Sequence, residues 1–234
     1  MAKCMDIQHA PELIKEGMTI MVGGFMGCGS PQRLLDAISR SDVKDLTLIC
    51  NDGAQANGPD GSEYYGVAKL IHNHQVKKLI ATHVGLNPEV AEQMNANEME
   101  VVLVPQGSMA EMIRAGGAGL GGVLTPTGVG TIVEESELTH SRVTVNGKNY
   151  LLMLPLRADV ALLSGYNVDR AGNIWYKGTT RNFNQVMATA ADCVIVEAEH
   201  LTETGGILPE NVMTPGILVD YIVEGGRADG TVND

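Results

Sequence analysis

Between Gly23 and Pro31 the chain reads Gly-Gly-Phe-Met-Gly-Cys-Gly-Ser-Pro, directly after the apolar run Met18-Thr19-Ile20-Met21-Val22. Four glycines among residues 23–29 strip almost all side chain from one bend. Ser30 is placed to cap a following helix, and Pro31 suits its first turn because the missing N–H would be unpaired there anyway. Leu34, Leu35 and Ile38 then share that helix's inner face. Strand, glycine turn, helix is the opening of a βα unit, and it constrains the fold more than any other feature of the chain.

The alternation continues through the first half. Strands are expected over 46–50, 77–82 and 100–104, with helices near 63–73 and 88–96 and from Pro105 to about Arg114. A short helix over 9–16, closed by Gly17, precedes the first strand, 18–22. Residues 54–61 read as loop, and the cluster Gly116-Gly117-Ala118-Gly119-Leu120-Gly121-Gly122 as too flexible for a core element. Asn146-Gly147 between extended runs signals a β-hairpin, and further strands are expected at 159–163, 173–176 and 193–197. The fold class is therefore α/β, a mostly parallel sheet flanked by helices with a β-hairpin region in the second half. Residues 1–234 form a single domain whose final residues, Gly225 to Asp234, are expected to fray.

With 16 Lys and Arg against 28 Asp and Glu, the net charge of −12 opposes attraction to nucleic acid or to an anionic membrane. No apolar run approaches the roughly 20 residues that span a bilayer, and Met1-Ala2-Lys3-Cys4-Met5-Asp6 lacks the apolar core of a signal peptide. A cytoplasmic protein is expected. Cys4, Cys28, Cys50 and Cys193 stand far apart, without zinc-ligand spacing, so they read as reduced thiols and no metal site is expected.

The bend fails both nucleotide fingerprints. Gly27-Cys28-Gly29 does not continue to Gly-x-Gly-x-x-Gly, and no Lys-Ser or Lys-Thr follows as a phosphate loop requires. Asp52, at the end of the second strand, imitates the ribose-binding acid of a dinucleotide fold. Glycines beyond the needs of a turn imply close approach of a ligand or another backbone. Cys28 lies where a helix start would stabilise a thiolate, but no histidine stands near it in sequence to act as base. His72 and His74 would share a face only in a strand, and their segment reads as helix.

Several segments together resemble the alpha subunits of class I CoA-transferases acting on short-chain acids and 3-oxoacids, most closely those of acetate or butyrate:acetoacetate CoA-transferases. The family signature is matched by Glu16-Gly17, Ile20-Met21-Val22, Gly23-Gly24-Phe25, Gly29 and Pro31, with Glu16 where Asp or Asn is usual. The likeness continues through Pro105-Gln106-Gly107, Ile113-Arg114-Ala115-Gly116-Gly117-Ala118-Gly119, Thr125-Pro126-Thr127-Gly128, Leu154-Pro155-Leu156-Arg157, Arg181-Asn182-Phe183-Asn184 and Thr214-Pro215-Gly216. It covers nearly the whole chain.

The resemblance implies the fold that these transferases share with sugar-phosphate isomerases, and a ping-pong exchange. A glutamate attacks acyl-CoA, becomes a glutamyl-CoA thioester and passes CoA to a second acid, through oxyanion-bearing species that fixed N–H donors stabilise. In the family that glutamate lies in a Ser-Glu-Asn-Gly motif of the beta half. This chain lacks the motif: its Glu210-Asn211 is flanked by Pro209 and Val212. The nucleophile is therefore expected on a partner beta chain, in an α2β2 or larger assembly. By resemblance, Gln106 donates to the oxyanion and Asn51 lies near the reacting carboxyl. Gly24, Phe25, Met26, Gly27, Cys28, Gly29 and Ser30 contact CoA or its thioester, and Gly117, Ala118 and Gly119 line the acyl entrance. CoA enters as substrate, with no permanently bound cofactor. The alternatives are a nucleotide-dependent oxidoreductase on the same strand-turn-helix and a non-catalytic subunit of the same fold.

Overall fold

The computed structural model describes residues 2–225 apart from 57, 59 and 60. In chain order its strands and α-helices are β1 (Lys3–Met5), β2 (Thr19–Val22), α1 (Gln32–Ser39), β3 (Leu46–Cys50), β4 (Gln55–Ala56), β5 (Tyr64–Tyr65), α2 (Ala68–His72), β6 (Val76–Ala81), α3 (Pro88–Asn95), β7 (Glu100–Leu103) and α4 (Gln106–Gly117). The second half adds β8 (Val123–Thr125), β9 (Thr139–Val145), β10 (Lys148–Met153), β11 (Ala158–Asp169), β12 (Ile174–Trp175), α5 (Asn184–Met187), β13 (Ala191–Thr202) and β14 (Tyr221–Glu224).

The main sheet runs β1-β14-β13-β11-β2-β3-β6-β7, with β12 attached antiparallel to β11. All other pairings in it are parallel. Successive strands spread from β2 toward β7, and the chain then returns to the other side of β2 as β11. The β2/β11 seam is thus the switch point of an open parallel sheet, where the carboxyl ends of the strands leave a crevice. The glycine bend begins at that seam, and Gly23 N–H donates to Leu162 O of β11 at 3.0 Å.

Because side chains alternate along a strand, both faces of this sheet are apolar. Ile20, Val22, Leu48 and Cys50 face one way, onto Leu34, Leu35 and Ile38 of α1 and Leu70 and Ile71 of α2. Met21 and Ile49 face the other way, onto Met109, Met112 and Ile113 of α4 and Leu151 and Met153 of β10. Each such fully buried side chain stabilises by about 1.5–3 kcal/mol. The hairpin β9–β10 turns through Asn146 (φ 51°) and Gly147 (φ 75°), as its Asn-Gly sequence demands.

Several local expectations are corrected. Residues 7–13, not 9–16, form a helix, a tight 3₁₀ one containing Pro11 and capped by Asp6. The helix expected over 63–73 shortens to α2, because Tyr64–Tyr65 pairs with Gln55–Ala56 and Gly66 turns the chain at φ 61°. Ser30 makes no cap; Pro31 stands at that position and the acceptor for α1 comes from elsewhere. The glycine cluster at 116–122 is not all flexible: α4 runs through Gly117, and a Cβ on Gly116 would stand 1.9 Å from Leu156 O. Those glycines permit close packing of α4 on the chain around Leu156. The fraying expected of the tail falls on residues 226–234, outside those described, whereas Gly225 N–H donates to Ala198 O at 2.8 Å.

Candidate active site at the carboxyl ends of the strands

The bend after β2 closes on itself. Phe25 N–H donates to Cys28 O at 3.0 Å and Cys28 N–H returns to Phe25 O at 2.9 Å, a two-residue reverse turn with Met26 (φ 50°) and Gly27 (φ 80°) at its tip. Both tip residues lie in the left-handed region, which glycine adopts freely and methionine at a cost of about 1–3 kcal/mol. Asp52 offsets that cost, since its Oδ2 accepts Met26 N–H at 2.7 Å.

Asp52 connects the bend to two amides. Its Oδ2 also accepts Asn51 Nδ2 at 2.7 Å, and its Oδ1 accepts Ala54 N–H at 2.8 Å. Asn51 Oδ1 in turn accepts Gln106 Nε2 at 2.6 Å and Thr82 Oγ1 at 3.3 Å. Gln106, Asn51 and the bend, far apart in sequence, thus form one chain of hydrogen bonds across the ends of β7, β3 and β2. Asn51 and Asp52 are buried at 1% and 5% exposure, whereas Gln106 is exposed and its amide carries a second N–H. Asp52, 5% exposed, spends both oxygens on protein donors, so in this structure it braces the bend.

A second set of amides holds the bend from the other side. Asn182 Oδ1 accepts Gly24 N–H at 3.1 Å, and Asn182 Nδ2 donates to Cys28 O at 2.9 Å. Asn184, fully buried, donates from Nδ2 to Gly29 O at 2.8 Å and accepts Ser164 N–H at 3.0 Å. The bare backbone is approached first by the chain itself. A Cβ on Gly23 would meet Asn184 Oδ1 at 1.9 Å, on Gly24 Ser30 Oγ at 2.0 Å, on Gly27 the Tyr65 ring at 2.0 Å and on Gly29 Thr180 O at 2.7 Å. What faces outward is the tip, with the side chains of Phe25 and Met26 exposed.

Beneath Gly27, Cys28, Gly29 and Ser30 lies a cavity of about 200 Å³ that Ser164, Tyr166 and Glu197 also line. Burial pushes the Glu197 carboxyl up to about 7, against the pull of backbone N–H groups of Leu34 and Arg33. The sequence offered no signal for Glu197, an acid in a strand with no motif around it. Asn182 and Asn184 stood in a family motif but carried no assigned role. His83 was also missed; its ring lies 6.2 Å from that of Phe25, and its backbone bridges Asp52.

Gly117, Ala118 and Gly119 are not brought to this site. They end α4, about 16 Å along its axis from Gln106, and a Cβ on Gly117 would meet Thr189 Oγ1 at 2.2 Å. Cys28 is exposed with Sγ 3.5 Å from Thr179 Oγ1, and burial raises the Cys50 thiol well above its ordinary range. His72 pairs with Glu89 and His74 with Glu98, so the two do not converge. Among the described residues no group of three His, Cys, Asp or Glu side chains could hold a metal ion, and no helix is long and apolar enough to cross a membrane.

The family described as Coenzyme A transferase matches residues 4–225. The acetate CoA-transferase subunit alpha of Escherichia coli K12 is 50% identical over 221 residues, covering 94% of this chain and 96% of that one. The acetoacetyl-CoA:acetate/butyrate CoA transferase alpha subunit of Clostridium acetobutylicum is 49% identical over 223 residues, covering 95% and 98%. Among solved structures, an acyl-CoA transferase from E. coli O157:H7 in a thioester complex with CoA superposes with a TM-score of 0.86 at 21% identity. The match covers 99% of this chain but 52% of that one, so the chain spans about half the solved protein's length. With the family's match over nearly the whole chain and relatives at half identity, the chain belongs to the coenzyme A transferase family.

Proposed function

We propose that this chain is the alpha subunit of a two-chain CoA-transferase that moves CoA between a short-chain acyl-CoA and a short carboxylic or 3-oxo acid, with acetyl, butyryl and acetoacetyl as the acyl class. The relatives at half identity are named for acetate, butyrate and acetoacetyl-CoA, which is the ground for the substrate class. The nucleophilic glutamate is supplied by a partner beta chain in a cytoplasmic assembly of α2β2 or larger.

The observation that carries the reading is the hydrogen-bond chain from Gln106 through Asn51 and Asp52 to the bend. When the partner's carboxylate attacks the thioester carbonyl, the C=O oxygen gains negative charge, and a donor already held in place stabilises it without reorganising. Gln106 is that donor: one N–H is fixed on Asn51, which orients the amide and leaves the second N–H for the oxyanion. Asn51 is too buried to touch substrate and acts as a positioning residue for Gln106. Collapse of the tetrahedral species expels the CoA thiolate and leaves an acyl-glutamyl anhydride. The thiolate then attacks the glutamyl carbonyl, releasing the acyl group as a carboxylate and forming glutamyl-CoA. The incoming acid reverses both steps. The tip of the bend, Gly24 to Ser30, forms the wall along which the CoA thioester lies.

The test is reconstitution with a beta chain carrying Ser-Glu-Asn-Gly, assayed by CoA exchange between acetyl-CoA and butyrate or acetoacetate. Activity in the mixture and in neither chain alone is the expected result. Full activity of the isolated chain contradicts the split site.

A further inference from the structure

Helix α1 starts directly after the glycine bend, and its first turn lacks an ordinary cap. Pro31 at the cap position has no side-chain acceptor to offer, while the first N–H groups of any helix need partners. The acceptor comes from a strand more than a hundred and fifty residues later: Glu197 Oε2 accepts Leu34 N–H at 2.8 Å, and Arg33 N–H bonds the same carboxylate. Glu197 is 7% exposed and sits in β13 beside Ser164 of β11 and Val223 of β14, and a Cβ on Gly225 would stand 2.7 Å from its Cγ. The same side chain lines the cavity that Gly27, Cys28, Gly29 and Ser30 also line. One buried carboxylate therefore grips the start of α1 and faces the bend that α1 carries.

Resting on the transferase reading above, we infer that Glu197 is a positioning residue for the glycine bend: as the charged, long-range cap of α1 it sets where the thioester wall stands relative to Gln106. A negative charge at a helix N-terminus interacts favourably with the helix dipole and forms stronger hydrogen bonds than a neutral acceptor. Ionised Glu197 hydrogen-bonds the first turn of α1 more strongly and protonation weakens that local grip, while burial of the charge acts with the opposite sign on the stability of the whole fold. Since burial lifts this carboxyl to about 7, both forms are populated near neutrality. The charged and titratable groups around it are Arg33 and Asp36 of α1, Cys28 of the bend, Tyr65 of β5, Tyr166 of β11 and Glu199 of its own strand; Val223 of β14 and Gly225 just after it carry no charge.

The experiment uses the assembled complex with its beta partner. kcat and KM for acetyl-CoA are measured from about pH 5.5 to about pH 8.5 for wild type, Glu197→Gln and Glu197→Asp. In the wild type, kcat/KM rises as Glu197 ionises. Glu197→Gln keeps an oxygen for Leu34 N–H but no charge, so its kcat/KM is expected to lie flat at the wild type's acid-limit value, about tenfold below wild type on the alkaline side. Glu197→Asp restores a titrating step. A Glu197→Gln complex whose melting temperature falls while its pH profile parallels the wild type overturns the inference, because a merely structural role moves only the former. A wild-type profile without a step across neutrality overturns it with no variant needed. Absence of any CoA transfer by the wild-type complex overturns the proposed function instead, so the two failures are distinct.

Discussion

Replacing Asp52 dissects the site, because one carboxylate serves three donors on two separate branches. Oδ2 holds Met26 N–H and Asn51 Nδ2, and Oδ1 holds Ala54 N–H, at 2.7, 2.7 and 2.8 Å. In Asp52→Asn the amide oxygen can keep the Oδ2 branch, where two donors converge, and its NH₂ then faces Ala54 N–H, stranding that one donor. A buried donor left without a partner costs about 1–3 kcal/mol. Asp52→Ala strands all three and removes the anchor of a left-handed Met26, for a cost of about 3–6 kcal/mol. At about 2–4 °C per kcal/mol for a chain of this size, the first variant melts about 2–12 °C low and the second about 6–24 °C low. The catalytic consequence separates more sharply. Asp52→Asn preserves the link from Gln106 to the bend and retains most of kcat. Asp52→Ala breaks it and loses about a hundredfold in kcat/KM in the reconstituted complex. Differential scanning fluorimetry and the acetyl-CoA to butyrate exchange assay read the two effects independently. Equal kcat/KM for the two variants, or an Asp52→Ala complex with wild-type rate, refutes the relay of position through this carboxylate.

Gln106→Ala in the complex is expected to lower kcat by about 10²–10³ with little change in KM for acyl-CoA, the signature of a donor used in the transition state; a rise in KM alone argues for simple substrate binding. Gly116→Ala drives a Cβ against Leu156 O and costs about 1–3 kcal/mol, whereas Gly130→Ala, with nothing within 4 Å but a φ of 77°, costs only about 1 kcal/mol; urea denaturation showing the reverse order contradicts close packing of α4. For stability against pH the sign follows from Glu197, raised from 4.5 to about 7 on folding. Its stabilising contribution is fully present below 4.5 and is lost as pH rises through about 7, a fall of roughly 3 kcal/mol that Glu197→Gln abolishes; equal pH slopes for both proteins contradict it.

The elements most legible in the sequence were those where local and global preference coincide. β2, β3 and α1 have an apolar period matching their burial, and Asn146-Gly147 has the only backbone its turn allows. α2 is shorter than its periodicity predicts because the pair Tyr64–Tyr65 takes an extended backbone beside Gln55–Ala56, a partner that no local window contains. The glycine cluster at 116–122 looked mobile because composition cannot distinguish glycine chosen for freedom from glycine chosen for close approach; Leu156 O, forty residues on, decides it. In the site, resemblance alone singled out Gln106 and Asn51, which the fold joins by a hydrogen bond of 2.6 Å. Asp52 is visible in the sequence as an imitation of a ribose-binding acid, but its bracing of the bend is not, since only the fold brings Met26, Asn51 and Ala54 to its oxygens. Glu197 was invisible, because the helix end it caps lies more than a hundred and fifty residues earlier.

The proposed active site is divided, with the oxyanion donor and the wall on this chain and the glutamate on a partner. It is tested most directly by incubating the reconstituted complex with acyl-CoA in the absence of an acceptor acid and measuring the intact mass of each chain. The expected result is a thioester-linked CoA adduct on the partner alone, reversed by adding butyrate, with this chain's mass unchanged. An adduct on this chain contradicts it.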